Sequence, residues 1–201
     1  MSKPHPLRAA TAIFVTLVAA ADCGGKGVDD ENSARRAYLG LDASVDRGIN
    51  LRMAGFNAAK NASIPPQTGS GSASGTMTVS GKVDQGASAN KEMRLQDALA
   101  GYSDGPVETS YHITYDTDPA ALPELDLSLR NIPNGTFTGS LIGKFNMSGD
   151  LEGAVTLTLS LAGKIQAVMG KTDAIERTPG STTITGTADS DYGSYDVNLT
   201  R

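Results

Sequence analysis

The sequence predicts a mainly β (α+β) fold, an antiparallel up-and-down sheet or open barrel of about seven to eight strands. One long N-terminal amphipathic helix packs on its apolar face. Three observations predict this. From Thr76 to the C-terminus, apolar residues recur at every second position, the period of a strand with one dry face. Between Ala34 and Phe56 they recur at every third or fourth position, the period of a helix stripe. The composition includes 23 glycines and no tryptophan among 201 residues. That suits tight turns and a hydroxyl-rich wet face better than a helical bundle.

The helix is predicted over residues 33–60. Its stripe is Ala34, Ala37, Tyr38, Leu41, Val45, Ile49, Met53 and Phe56, with Asn32 or Ser33 available as N-cap. Acids precede it, and Arg47, Arg52 and Lys60 lie towards its end, which suits the macrodipole. Gly40, Gly48 and Gly55 each cost a helix roughly 1 kcal/mol relative to alanine. They predict a bend, a split, or a close approach to the sheet. Pro65-Pro66 ends the helical region, and Gln67–Gly75 reads as a loop.

The strands follow in order. Met77, Val79 and Val83 form the first alternating set, then Met93 and Leu95, then Tyr111, Ile113 and Tyr115. Leu125, Leu127 and Leu129 come next, followed by Phe137, Leu141, Phe145 and Met147. Val155 to Leu161, Ile184, and finally Tyr195, Val197 and Leu199 complete the series. Turn residues separate the sets, among them Asp104-Gly105-Pro106, Pro133-Asn134-Gly135 and Pro179-Gly180. A hairpin is predicted around Gly149–Gly153. A small closed barrel or a two-sheet sandwich would satisfy the same alternation.

The N-terminus carries an export pattern. Lys3 and Arg8 precede the apolar run Ala9–Ala21. A helix of that length spans roughly 20 Å, too little for a hydrocarbon core of about 30 Å. Residues 1–22 therefore read as a signal peptide. The residues Val18-Ala19-Ala20-Ala21-Asp22-Cys23-Gly24-Gly25 resemble the lipobox of bacterial lipoproteins. That resemblance implies cleavage before Cys23, acyl chains on that cysteine, and attachment to a membrane through them. Residues 23–32 would form a flexible lipid-anchored tether, and 33–201 a single β-rich domain. Gly24 lacks the acidic residue that retains some lipoproteins in the inner membrane, so the resemblance favours the outer membrane. Asp22 departs from the small residue usual before the cysteine. Plain secretion or periplasmic release, with cleavage after Ala19 or Ala21, is the alternative.

Net charge is −5, and no basic stripe is visible, which argues against nucleic acid. Cys23 is the single cysteine, so no intrachain disulfide forms. His112 shares a strand face with Ser110, Thr114 and Asp116. Alternate residues on a strand lie roughly 6.8 Å apart, too far for a direct Ser–His–Asp relay. Asp116/Asp118, Glu124/Asp126 and Asp189/Asp191 lack the ligand spacing of a calcium loop. No metal, cofactor or catalytic residue is expected.

The leading expectation is a non-enzymatic cell-envelope lipoprotein with a structural or binding role. The second is a carrier of an apolar ligand, such as a lipid or a lipoprotein. A curved sheet with an amphipathic helix across its mouth resembles, in outline, half-barrel carriers of such cargo. The two differ in whether Phe56, Phe137 and Phe145 fill the dry face or leave a cavity. A hydrolase with an unrecognised site is the third.

Overall fold

The computed structural model describes residues 26–58, 64–84, 89–171 and 173–201. Residues 1–22, expected as a signal peptide, and Cys23 lie outside the described residues. Among the described residues the chain is mainly β, with ten antiparallel strands in one sheet. They are β1 (Gln67–Ser70), β2 (Ser74–Val83), β3 (Lys91–Ser103), β4 (Ile113–Asp116) and β5 (Glu124–Arg130). β6 (Gly135–Gly149), β7 (Gly153–Ala167), β8 (Ile175–Arg177), β9 (Thr183–Ser190) and β10 (Gly193–Thr200) follow. Each of the eight alternating sets falls in one of these strands, except that Tyr111 lies before β4 in an isolated bridge with Val107. β1 and β8 are additional. β1 lies in the stretch expected as loop, since its four residues, Gln67-Thr68-Gly69-Ser70, contain no apolar side chain.

The order along the sheet is β1-β2-β3, then β4 and β5 side by side, then β6-β7-β9-β10, with β8 pairing the far end of β7. β1 and β10 close the two ends of this order and do not pair with each other. The β6–β7 hairpin turns between Gly149 and Gly153 as expected, with Met147 opposite Gly153. The buried residues of every long strand alternate with exposed ones. One face of the sheet is therefore dry.

The expected single helix is two: α1 (Glu31–Leu39) and α2 (Asp42–Ala58). The stripe survives the split, since Ala34, Ala37, Tyr38, Leu41, Val45, Ile49 and Met53 are all buried and Phe56 packs against them. α1 begins earlier than expected. Asp30 caps it, accepting from the Ser33 N–H at 2.6 Å, and Val28 is already buried. The folded body thus takes up residues 26–32, which the sequence had assigned to the tether.

The three helix glycines face neighbouring chain. A Cβ on Gly40 would fall 2.2 Å from the Tyr115 hydroxyl, and one on Gly48 would meet the Met77 methyl at 3.3 Å. At Gly55 it would meet Gln67 and Ile64. Close approach is thus the use made of them, and Gly40 also ends α1.

α2 contacts β1 and β2 on one flank and β8 on the other. Five strand spacings separate β2 from β8 by way of β3, β5, β6 and β7, about 24 Å at roughly 4.8 Å per strand. A helix with its side chains is only about 10–12 Å across. The sheet must therefore curl around α2. Helix side chains also occupy the exposed edge of β8. Asn50 donates to the Ile175 carbonyl (2.8 Å) and accepts from its N–H (3.1 Å), while Asp46 accepts from the Arg177 N–H (3.0 Å). A three-residue strand too short to protect itself is covered this way.

Gly40→Ala is expected to cost about 1–3 kcal/mol of stability. The Tyr115 ring is buried, and its hydroxyl is held by the Ala37 carbonyl at 2.9 Å, so neither can move aside. Gly48→Ala meets a flexible methyl and gains roughly 1 kcal/mol of helix propensity, so it is expected to be neutral or stabilising. Urea unfolding of the two variants checks the contrast.

Candidate functional site

The dry face of the sheet is filled. Phe137 and Phe145 are buried, and Phe145 meets Tyr115 edge-on at 6.4 Å between centroids. Phe56 is half-buried at one end, where Lys91 Nζ lies 5.4 Å from its ring centroid. Leucines of β5 and β7 and both helices occupy the space between. Among the described residues, two surface clefts hold side chains of chemical interest.

The first cleft has a volume of about 570 Å³ and runs between the start of α2 and the β8–β9 loop. Arg177, Asp42 and Asp46 line it. Arg177 Nε donates to both Asp46 oxygens at 3.2 Å, and Nη2 reaches Asp46 Oδ2 at 3.0 Å and the Asp42 carbonyl at 2.6 Å. Nη1 reaches Asp42 Oδ1 at 2.9 Å and the Tyr38 hydroxyl at 3.4 Å. Each guanidinium nitrogen is engaged. Burial alone would raise the Asp42 carboxyl, but the charge and hydrogen bonds of Arg177 outweigh it and hold Asp42 below the usual carboxylate range. Burial likewise lifts the Tyr38 hydroxyl well above its ordinary value. The cluster is saturated, so it clamps structure rather than presenting an unused donor or base.

The second cleft, about 510 Å³, lies where α2 ends near the Ile132-Pro133 turn and the β7–β8 connection. Met53, Ile132, Pro133 and Ile175 give it apolar walls, with Lys171 and Asp173 at its rim. A third polar group, on the other flank of α2, is again a clamp. Arg47 donates to the Tyr102 hydroxyl (3.0 Å), Asp104 (2.6 Å) and Ser72 (3.0 Å), and Tyr102 donates to Asp104.

Asp97 is the exception. It sits on the dry face of β3 between Leu95 and Leu99, opposite Val79. The residue is 4% exposed, and its Oδ1 has no hydrogen-bond partner. Burial pushes its carboxyl up to about 7. The sequence reading did not single it out; the break in the alternation Met93-Leu95-Asp97-Leu99 is the signal that could have found it.

The other sequence candidates stay apart. His112 is exposed, and its main chain exchanges bonds with Asp150: its N–H donates to Asp150 Oδ2 (2.7 Å) and its carbonyl accepts from the Asp150 N–H (2.9 Å). Asp116 accepts from the Gly101 N–H (2.8 Å) and Thr114 from β4 donates to the Ser148 carbonyl (3.4 Å), so no Ser–His–Asp relay assembles. Glu124, Asp126, Asp189 and Asp191 are exposed. Among the described residues, no group of three or more His, Cys, Asp or Glu is placed to hold a metal ion. None of the described helices is long and apolar enough to cross a membrane. Cys23, the expected lipidation site, lies outside the described residues. No protein-family profile matches this chain, and no significantly similar curated protein or solved structure was found for it.

Two predictions follow from the buried ionic groups. Arg177→Ala leaves Asp46 without its counter-charge and Asp42 with only the exposed Arg201, and is expected to destabilise by about 3–5 kcal/mol; Arg177→Lys, which lacks the planar fork, should recover only part of this. Denaturant midpoints measure both. For Asp97 the dependence is on pH. Below 3.8 the carboxyl is protonated in both states. Between 3.8 and about 7 only the unfolded chain ionises, so stability falls with rising pH by about 4 kcal/mol in total, and levels off above 7. Asp97→Asn removes this loss. The variant and the parent should match near pH 3.5 and diverge by several kcal/mol at pH 8, read from thermal unfolding across that range.

Proposed function

We propose that this protein is a cell-envelope lipoprotein of non-enzymatic, structural or binding role, tethered by acyl chains on Cys23, with the outer membrane favoured. Its folded body is an open barrel closed by α2. The carrying observation is the lipobox-like run Val18–Cys23, placed three residues before a body that begins at Lys26. The state of the polar groups supports the non-enzymatic part. Arg177, Asp42, Arg47 and Asp104 are spent on clamping the sheet, and His112 stands apart from Ser110 and Asp116.

A second reading is a binder of an apolar ligand, favoured by the apolar walls of the cleft at Met53, Ile132 and Ile175. The filled dry face leaves that surface cleft, rather than a lumen, as the place for such a ligand.

Intact mass of the protein taken from membranes of its native host tests the tether. A species beginning at Cys23 with added acyl mass, lost in Cys23→Ala, is the expected result. An unacylated species cut after Ala19 or Ala21 overturns it.

A further inference from the structure

We infer that the end of the molecule carrying Tyr192 and the Gly149–Gly153 turn is a membrane-contact surface, fitted to zwitterionic phospholipid headgroups. The inference rests on the proposed anchoring at Cys23 and adds to it an orientation and a lipid chemistry. Three residue steps separate Cys23 from Lys26, a reach of at most about 11 Å. At Lys26 the chain is already fastened. Its carbonyl accepts from the Glu152 N–H at 2.7 Å, and its ammonium pairs with the Glu152 carboxylate at 2.9 Å. Two residues on, the Val28 carbonyl accepts from Ser190 Oγ at 2.6 Å, and the Val28 side chain is buried. An anchor at Cys23 therefore leaves no room for the body to turn over. The β6–β7 and β9–β10 turns are held against the lipid surface.

The side chains at this end fit that position. Tyr192 lies in the β9–β10 turn with its ring against Gly27 and is 60% exposed. An aromatic ring with a polar tip is the residue type favoured at membrane–water interfaces. The segments that meet at this end carry exposed carboxylates: Asp191 beside Tyr192 in the β9–β10 turn, Asp150 and Glu152 in the β6–β7 turn, and Asp29 next to Val28, with Lys26 paired to Glu152. These carboxylates repel anionic lipid. They suit the ammonium of a zwitterionic headgroup, which also interacts favourably with an aromatic face.

The experiment supplies the anchor chemically, so its result is independent of whether the cell acylates Cys23. The chain cut to begin at Cys23 is coupled through that single thiol to maleimide lipid in phosphatidylcholine vesicles. Since the sequence contains no tryptophan, Tyr192→Trp and Met169→Trp each introduce one reporter. Met169 is 97% exposed just beyond the far end of β7, fifteen residues in length from the Gly149–Gly153 turn. Expected is a blue shift and loss of emission for Tyr192→Trp with headgroup spin-labelled lipid, and neither for Met169→Trp. Replacing a third of the phosphatidylcholine by phosphatidylglycerol should reduce the Tyr192→Trp quenching. Equal quenching of both reporters, none in either, or stronger quenching with phosphatidylglycerol overturns the inference. Failure of acylation in the native host, read from intact mass, is a separate outcome that bears on the anchor alone.

Discussion

The fold depends on the guanidinium of Arg177. It joins Tyr38 of α1 and Asp42 and Asp46 of α2 to the last residue of β8. Through Asp42 it also reaches Arg201 at the C-terminal end (3.3 Å). Taking this cation and its carboxylates out of water is costly, and the cost is offset only because each guanidinium nitrogen finds an acceptor. The arrangement contributes position more than net stability. Apolar burial drives the helices onto the sheet, but it is non-directional and would tolerate a shift of α2 along the strands. The charged clamp does not.

Asp46 and Arg47 are neighbours in sequence and point to opposite flanks, as a helical step of about 100° requires. Asp46 holds β8, while Arg47 holds the end of β3 through Tyr102 and Asp104. One helix thus spans both sides of the curled sheet. The same arrangement explains why Arg177, Asp42 and Asp46, which line the first cleft, present little unused chemistry: they are already engaged in holding the curl. Asp97 stands outside this pattern, a carboxyl facing apolar neighbours with one oxygen unpartnered. The structure shows no compensating contact for it among the described residues.

Much of the architecture was legible because the dry face is written at a fixed period. Leu125, Leu127 and Leu129, or Val155 to Leu161, can only be a one-faced strand. The stripe from Ala34 to Met53 marked the buried side of the helices even though the break at Gly40 was left open. β1 escaped because none of its four side chains is apolar, whereas the equally short β4 shows Ile113 and Tyr115; β8 escaped because three residues with one aliphatic side chain show no period. β8, Ile175-Glu176-Arg177, is a strand by virtue of β7 beside it and α2 at its edge. The clamps were illegible for a different reason. Asp42 and Asp46 sit one helical turn apart like any solvated pair, and nothing local connects them to an arginine 131 residues beyond Asp46. Sequence periodicity reports which side of an element is dry, whereas an ion pair between distant segments is a property of the assembled fold.

The docking of α1 has a consequence for the order in which the chain can assemble. Its main neighbours in the sheet are β10 and β9, the final strands to be made, and its clamp partner Arg177 also comes late. The first helix of the body therefore waits, without most of its partners, until nearly the whole polypeptide has emerged. Contacts so distant along the chain slow folding. The hairpins β2–β3 and β6–β7, whose strands are neighbours in sequence, can pair early, so α1 seals a sheet that is already largely built.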